Sequence, residues 1–587
     1  MTIQCPSPRP PQAAALRLAA LFVATGLCVW PGSASAQPTD ASGVLAGHVT
    51  AEHGTVTAFR VKASDTVHRV SYTVFTVDGR YQIFNLPPST YDVRVVEPGH
   101  ESEVLTVRVA AGITTTADVA ITTTGNVVRG AGTRSTAANR SYGGRETSGI
   151  DGAALVDFDT LYPPAPARDV MLRACFGCHG PAGFHTRGPK NEAGWRRAVE
   201  RMFDPNGRVA QMAPGVPQVS HDTVTPDEKE AVIQYLTANF GPGSDARDLA
   251  LDPLVRDEAA LSTAVYIQYE LNRLSGRLLA NGQPPAGGIH SVFASQQQPG
   301  VIWVSGNHSN SIIRVDTREL DFEARTTEYW IANPENIDVT PHGIIEDRGR
   351  VYWVELTGDH LGELDPASGD MRRYPLPTKG AGAHSMWADS RGNLWYTYFA
   401  EANKIGRFDT RTKEITEYDT PEGWTGYGVV VDRQDRVWAS GLSSHEVLMY
   451  NQETGQLHSY PMETPTRRPT VDSRGKVWAA HYYGNAISMI DPVTGDVTHY
   501  ELPLKDGNPY DVWTDAEDNV WIENAIYNAL VKFDQTTEVF TYFPFPELDA
   551  HTPKLDRDRD GTLWFVLKDQ TGGRGVAALK PQGNVPR

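Results

Sequence analysis

Lys404-Ile405-Gly406-Arg407-Phe408-Asp409, followed across a short turn by Ile415-Thr416-Glu417-Tyr418, decides the fold of the largest part of this chain. Trp395 precedes this run, and the same order of features recurs. Tryptophans open strands at Trp303, Trp353, Trp395, Trp438, Trp478, Trp521 and Trp564, at intervals of 50, 42, 43, 40, 43 and 43 residues. After most of them a strand ends in Asp or Asn: Asp316, Asp365, Asp409, Asn451, Asp491 and Asp534. A turn such as Pro366-Ala367-Ser368-Gly369 or Pro492-Val493-Thr494-Gly495 then leads to an outer strand. Four strands in roughly forty residues make one propeller blade. Seven tryptophans predict a seven-bladed β-propeller over residues 257–587. The last blade runs out of chain after two or three strands. Residues 263–272 predict the missing outer strand, because an unclosed ring would expose a sheet edge.

The innermost strand of a blade lines the central channel. Counting eleven residues back from the tryptophans of blades two to six gives His342, His384, Tyr427, Arg467 and Tyr510. In the flanking blades His290 and His551 stand thirteen back. Four histidines thus come from adjacent blades around the ring. Singly, each suits a hydrogen bond to the next blade. As a set they are candidates for an acid–base or metal site. Glu355 and Glu523 lie just past two of the tryptophans and are further candidates, or solvated pore lining. Imidazoles with few carboxylates suit copper, iron or zinc better than magnesium, which prefers oxygen.

Ahead of the propeller, Cys175-Phe176-Gly177-Cys178-His179 is a C-x-x-C-H run. Two thiols in this spacing bind the vinyl groups of one covalent haem c, and His179 ligates the iron. A zinc site needs four ligands, and only Cys5 and Cys28 stand elsewhere in the chain. Residues 156–250 around the run predict three helices: 169–174, Glu192 to Met202, and Pro226 to Phe240. The third carries Thr225 as cap, Pro226 at its first turn and Glu228 three residues after the cap.

The start of the chain has Arg9 and Arg17, an apolar run from Leu18 to Ala24, and Ala34-Ser35-Ala36 before Gln37. This predicts a secretory signal peptide over residues 1–36, and with the haem motif a periplasmic location. No apolar stretch is long enough to predict an integral membrane segment. Residues 42–122 alternate as strands, with a turn at Asp78-Gly79, and predict a small β-sandwich. Residues 123–155 are rich in Gly, Thr, Ser and Ala and predict a linker. The whole is multidomain and mainly β. The net charge of −18 argues against nucleic acid and anionic membranes as partners and suits a basic redox partner.

Three resemblances follow. Asp78-Gly79-Arg80-Tyr81 and Leu86-Pro87-Pro88-Ser89-Thr90-Tyr91 resemble the carboxypeptidase regulatory-like domain, which implies a binding or spacer module. The helix, the C-x-x-C-H run and the closing helix with Tyr235-Leu236 resemble a monohaem class I cytochrome c, a small all-α domain. That resemblance implies a methionine ligand, Met202 or Met212. The blade phrases, with Pro341-His342-Gly343-Ile344, resemble the virginiamycin B lyase (streptogramin lyase) family. It implies a magnesium ion, a histidine base and nearby glutamates for elimination across a C–O bond. His342 with Glu355 keeps that frame. Thr340 and Gly382 stand where a glutamate is expected two residues before each histidine, and Tyr398 stands where blade three would want a glutamate.

Together these readings predict a periplasmic electron-transfer oxidoreductase. It oxidises a small organic substrate at His342, His384, Tyr427, Tyr510 and Glu355, and its haem passes the electrons to an acceptor protein. In this reading a second metal, copper, iron or zinc, sits at His290, His342, His384 and His551. A non-enzymatic electron-transfer protein and a magnesium-dependent C–O lyase are the alternatives.

Overall fold

The computed structural model describes residues 42–97, 99–123, 153–156, 162–174, 190–203, 224–244, 250–253, 256–271 and 288–581, with short gaps in the last range at 308, 335, 400–401, 442–443, 483, 505–508, 525–527, 548–549, 551 and 569–573. Cys175, Cys178, His179, Met212 and His551 lie outside the described residues.

Six antiparallel sheets of four strands follow one another in chain order from Val292 to Pro544. Blade three is typical: Ala383–Ala388, Asn393–Tyr398, Lys404–Asp409 and Ile415–Asp419. Its second strand is buried throughout, as expected of a sheet packed on both faces. The tryptophan does more than fill the core. In blades three to seven its indole donates to an aspartate six residues earlier. Trp395 reaches Asp389 at 3.1 Å, Trp438 Asp432 at 2.8 Å, Trp478 Asp472 at 3.3 Å, Trp521 Asp515 at 2.9 Å and Trp564 Asp558 at 2.7 Å. The other carboxylate oxygen caps the turn between the first two strands. In blade four Asp432 Oδ1 accepts from Gln434 N and Arg436 N, both at 2.9 Å. One side chain therefore closes a turn and satisfies a buried donor. Asp432→Ala is expected to cost about 1–3 kcal/mol through the orphaned indole alone. Urea unfolding against the wild type measures it, and an unchanged midpoint would refute the coupling.

The ring closes as the sequence predicts. Leu555–Arg557, Leu563–Lys568 and Arg574–Pro581 form blade seven with Ala264–Glu270, which pairs antiparallel with Arg574–Pro581 from Ala264↔Pro581 to Glu270↔Gly575. The sequence did not predict what lies on the other side. Ala264–Glu270 also pairs with Val70–Phe75 of the N-terminal strands, from Tyr266↔Thr73 to Tyr269↔Val70. Blade seven and one N-terminal sheet are thus a single eight-stranded sheet. The spacer expected at residues 42–122 covers the blade's edge and is part of its sheet. Buried arginines pin the seam. Arg325 donates to the His68 carbonyl at 2.7 Å and the Glu270 carbonyl at 3.3 Å. Arg60 bonds Glu97 and, through Nη1, the Phe545 carbonyl at 2.8 Å.

The N-terminal strands form two sheets, one of Arg80–Leu86, Gly43–Ala51, Val119–Thr123 and His100–Ser102 with Thr114–Thr116, the other of Val70–Phe75, Arg60–Asp65, Ser89–Val95 and Leu105–Val109. Leu45, Val61, Val74, Ile83 and Val93 fill the space between them. Asp78 and Gly79 make the predicted turn, both with positive φ (48° and 74°), the backbone such a turn demands.

The predicted helices form at Pro166–Ala174, Glu192–Glu200 and Pro226–Phe240. Thr225 and Glu228 make the reciprocal cap. Trp195, 1% exposed, donates its indole N–H to the Phe240 carbonyl at 3.1 Å. Met202 follows the second helix and is half-buried. One departure from the predicted linker is Ala153–Val156, a strand paired with Ala250–Pro253. The pair ties the two ends of the helical segment together. No helix among the described residues is long and apolar enough to cross a membrane.

Candidate active site in the propeller channel

The residues found by counting back from the tryptophans share one backbone feature. In blades two to six the pairing of the first two strands slips at that point: between Pro341 and Ile344, Ala383 and Met386, Gly426 and Val429, Thr466 and Pro469, and Pro509 and Val512. Each slip is a bulge of two residues, which bends the strand and re-aims side chains. The bulges hold His342-Gly343, His384-Ser385, Tyr427-Gly428, Arg467-Arg468 and Tyr510-Asp511. Blades pack tightly here. A Cβ on Gly343 would lie 2.7 Å from the His384 carbonyl, and one on Gly428 2.5 Å from Pro469 Cδ.

The rings of successive blades lie against each other. Centroids are 3.9 Å apart for His290 and His342, 4.1 Å for His342 and His384, and 4.1 Å for His384 and Tyr427. Phe399 stacks on His384 at 4.9 Å. His342 Nδ1 is 2.8 Å from the His384 carbonyl, and His384 Nδ1 is 2.9 Å from the Tyr427 carbonyl. A carbonyl only accepts, so each Nδ1 carries the proton. His384 Nδ1 also lies 3.0 Å from Ser385 Oγ. Burial, with His342 and Arg468 nearby, pushes His384 well below the ordinary imidazole value. It is a neutral imidazole whose Nε2 holds the lone pair. His290 Nδ1 meets Ser291 Oγ at 3.1 Å.

Beyond the histidines the ring turns cationic. Arg467 Nη1 donates to the Tyr427 hydroxyl at 2.7 Å, and Tyr427 in turn makes a short hydrogen bond to the Tyr510 hydroxyl. The Arg467 guanidinium lies 3.8 Å from the Tyr482 ring centroid, 4.5 Å from Tyr510 and 4.7 Å from Tyr427. Arg468 lies 5.2 Å from Tyr427 and 5.4 Å from Tyr510, and its Nη1 donates to the Pro553 carbonyl at 2.6 Å. Burial raises the Tyr427 phenol, so it stays protonated at neutral pH. Below lies a cavity of about 20 Å³ to which every blade contributes; Ser385, Trp387, Arg468, Asp511, Trp513 and Lys554 are among its walls. Burial pushes Lys554 down and Asp511 up, and raises Asp556 to about 6.

The sequence reading therefore found the ring but not its floor. Arg468 and Asp511 are the second residues of bulges of which only the first was counted. Trp387 and Trp513 each stand eight residues before a blade tryptophan, a repeat visible in the sequence. The structure does not bring Glu355 into the site. Its carboxylate is fully buried and held by Arg373, Nε at 2.8 Å and Nη2 at 2.6 Å, with the Trp353 indole at 3.3 Å. Tyr398 likewise donates within its own blade, to Glu417 at 2.6 Å. Glu523 is fully buried in blade six.

Two overlapping matches to one protein family, described as the virginiamycin B lyase family, cover residues 275–448 and 420–586, together a little over half of the chain. The chain belongs to the virginiamycin B lyase family. Solved structures it is similar to include a streptogramin B lyase (19% identity, TM-score 0.46, covering 54% of this chain and 98% of that one). Another is a catalytically inactive virginiamycin B lyase from Staphylococcus aureus with quinupristin (17%, TM-score 0.47, 54% and 99%). A third is a hydrazine synthase from Kuenenia stuttgartiensis (12%, TM-score 0.42, 52% and 98%). No curated protein matches.

The residues present do not fit the magnesium that the virginiamycin B lyase resemblance implies. Magnesium takes oxygen ligands. Glu355 is already committed to Arg373, Thr340 and Gly382 offer no carboxylate, and guanidinium groups fill the far side of the ring. Among the described residues no three of His, Cys, Asp and Glu stand close enough to hold a metal; His551, the fourth histidine expected to ligate copper, iron or zinc with His290, His342 and His384, lies outside them.

Proposed function

We propose that the channel mouth performs an acid–base elimination of the C–O lyase type on a small organic substrate. His384 is the base and the Tyr427–Tyr510 pair the acid. The observation that carries this reading is the bond from His384 Nδ1 to the Tyr427 carbonyl, 2.9 Å. It fixes the tautomer in which Nε2 can take a proton, beside a protonated phenol. In the reaction Nε2 accepts the proton from carbon, the electron pair forms the C=C bond, and the C–O bond breaks. The leaving oxygen takes a proton from the phenol pair, which regains it by way of His384. Proton transfer by such groups contributes about 10²–10⁴-fold in rate. The test is release of the unsaturated product from ester- or ether-linked substrates with no metal added. Product that requires added magnesium would overturn the reading.

The second reading keeps the electron-transfer role, and Cys175-Phe176-Gly177-Cys178-His179 favours it. Pro166–Ala174 ends directly before Cys175, and its Met171 is buried with Tyr235 and Leu236 of the closing helix. A cytochrome c fold needs such a helix pair. Cys175, Cys178 and His179 would hold the haem, with Met202 or Met212 opposite; bound, the haem supplies one-electron transfer. In this reading the chain works in the periplasm and passes electrons from a substrate oxidised in the channel to a basic acceptor protein. Cys175→Ser is expected to abolish covalent haem, read as loss of haem staining on a denaturing gel; retained staining refutes the motif. Following haem absorbance and product in one cuvette separates the two readings. Elemental analysis against haem tests for a second metal.

A further inference from the structure

Arg467 and Arg468 are consecutive residues of one bulge, 9% and 4% exposed, and both guanidinium groups lie against the Tyr427 and Tyr510 rings. Two like charges this close in a desolvated channel repel, and an anion bound between them relieves that repulsion. Arg468 has Asp511 among its neighbours. The Asp511 carboxylate also accepts from Val512 N at 3.0 Å and Leu555 N at 2.7 Å, so it is shared between backbone and cations. Arg468 Nε is a buried donor with no hydrogen-bond partner among the described residues. Lys554, 5.1 Å over the Trp513 ring, is a third basic group, with Asp511 and Asp556 beside it. Three basic groups against the two carboxylates Asp511 and Asp556 leave an excess of basic groups here, inside a chain of net charge −18.

We infer that the substrate is a carboxylate, a β-alkoxy or β-acyloxy acid, whose carboxylate is held by the Arg467–Arg468 pair across the channel from His384. This rests on the elimination reading and names its substrate class. Removing a proton next to a carboxylate creates a dianionic enediolate, which is prohibitive without two fixed cations beside it. Preorganised donors in a dry site are what stabilise such developing charge. A neutral ester would need neither arginine. The cavity below has room for about one water-sized group, so it can take at most a carboxylate oxygen, and the rest of the substrate stays at the mouth.

The test uses the full chain loaded with haem and the probe β-(p-nitrophenoxy)propanoate, with its uncharged amide as control. Elimination would release p-nitrophenolate and leave acrylate, with no change of oxidation state. By calorimetry the acid is expected to bind at least about tenfold more tightly than the amide, or about 1.4 kcal/mol. Arg467→Gln should erase that preference, Arg467→Lys should restore part of it, and His384→Ala should leave it intact. Equal binding of acid and amide to the wild type overturns the proposal, without relying on any variant's folding. So does displacement of the acid by an equal concentration of sulfate, which would mark an unselective anion site. Preferred binding of the acid without release of nitrophenolate would leave the anchor standing and sink the elimination reading.

Discussion

Glu97→Gln is expected to destabilise the protein by about 3–5 kcal/mol, the cost of breaking a buried ion pair from one side. Glu97 is 5% exposed and sits between two arginines. Arg60 approaches with Nε at 3.1 Å and Arg256 with Nη1 at 2.9 Å. The Arg60 backbone N–H adds a bond at 2.8 Å. Glutamine keeps the shape and removes the charge that the buried Arg60 and the partly buried Arg256 share. Burial alone would push the Glu97 carboxyl up, but Arg256 and Arg60 outweigh it and hold the group at about 2 against an ordinary 4.5. A folded value below the unfolded one gives stability that is fully present above about pH 4.5 and is lost as pH falls toward 2. Denaturant unfolding from pH 7 to 3 is therefore expected to show a loss below pH 4.5 in the wild type that the glutamine variant lacks. Parallel curves would remove Glu97 as the cause. Because Arg60 also reaches the Phe545 carbonyl, the loss should loosen the seam between the N-terminal strands and the propeller.

How much of this was legible in the sequence depends on how local each signal was. The blade period was legible because Trp395 to Trp564 repeat one environment and Trp303 and Trp353 are buried at the same strand position. The closing strand at Ala264–Glu270 was legible because a ring one strand short has few ways to complete itself. The second partner of that strand, Val70–Phe75, was not. Both of its neighbours are remote in sequence, and alternation says only that a strand has two edges. Glu355 was misplaced for a related reason. Its partner Arg373 lies 18 residues on, in the outermost strand of the same blade, and only cross-strand proximity reveals the pair. In the channel, counting one residue per strand found His342, His384, Tyr427, Arg467 and Tyr510. It passed over Arg468 and Asp511, because an ideal strand turns the next residue to its other face. The bulges break that rule, and the sequence marks them only indirectly, through Gly343 and Gly428.

His384→Ala is expected to lower kcat for the elimination by about 10²–10⁴-fold with little change in KM, the signature of a group that acts in the transition state. The fold should tolerate it. The Tyr427 carbonyl that loses the imidazole donor still accepts from Thr397 Oγ1 at 2.8 Å, so no buried acceptor is orphaned. The ring contact with Phe399 is lost, a cost that thermal unfolding would register separately from the rate. The pH profile carries the sharper test. A base must be neutral to work, and an ordinary imidazole near 6.5 would lose activity as pH falls through that value. Burial and the nearby His342, Arg468 and Arg467 charges all push His384 below it. The acid limb of kcat/KM is therefore expected to lie below pH 6.5. Arg468→Gln removes one of the positive neighbours and should move that limb back toward 6.5. A limb at or above 6.5 in the wild type, or an alanine variant that turns over at the wild-type rate, would show that the proton goes elsewhere. His342 would then be next in line, because its own Nδ1 is committed in the same way to the His384 carbonyl.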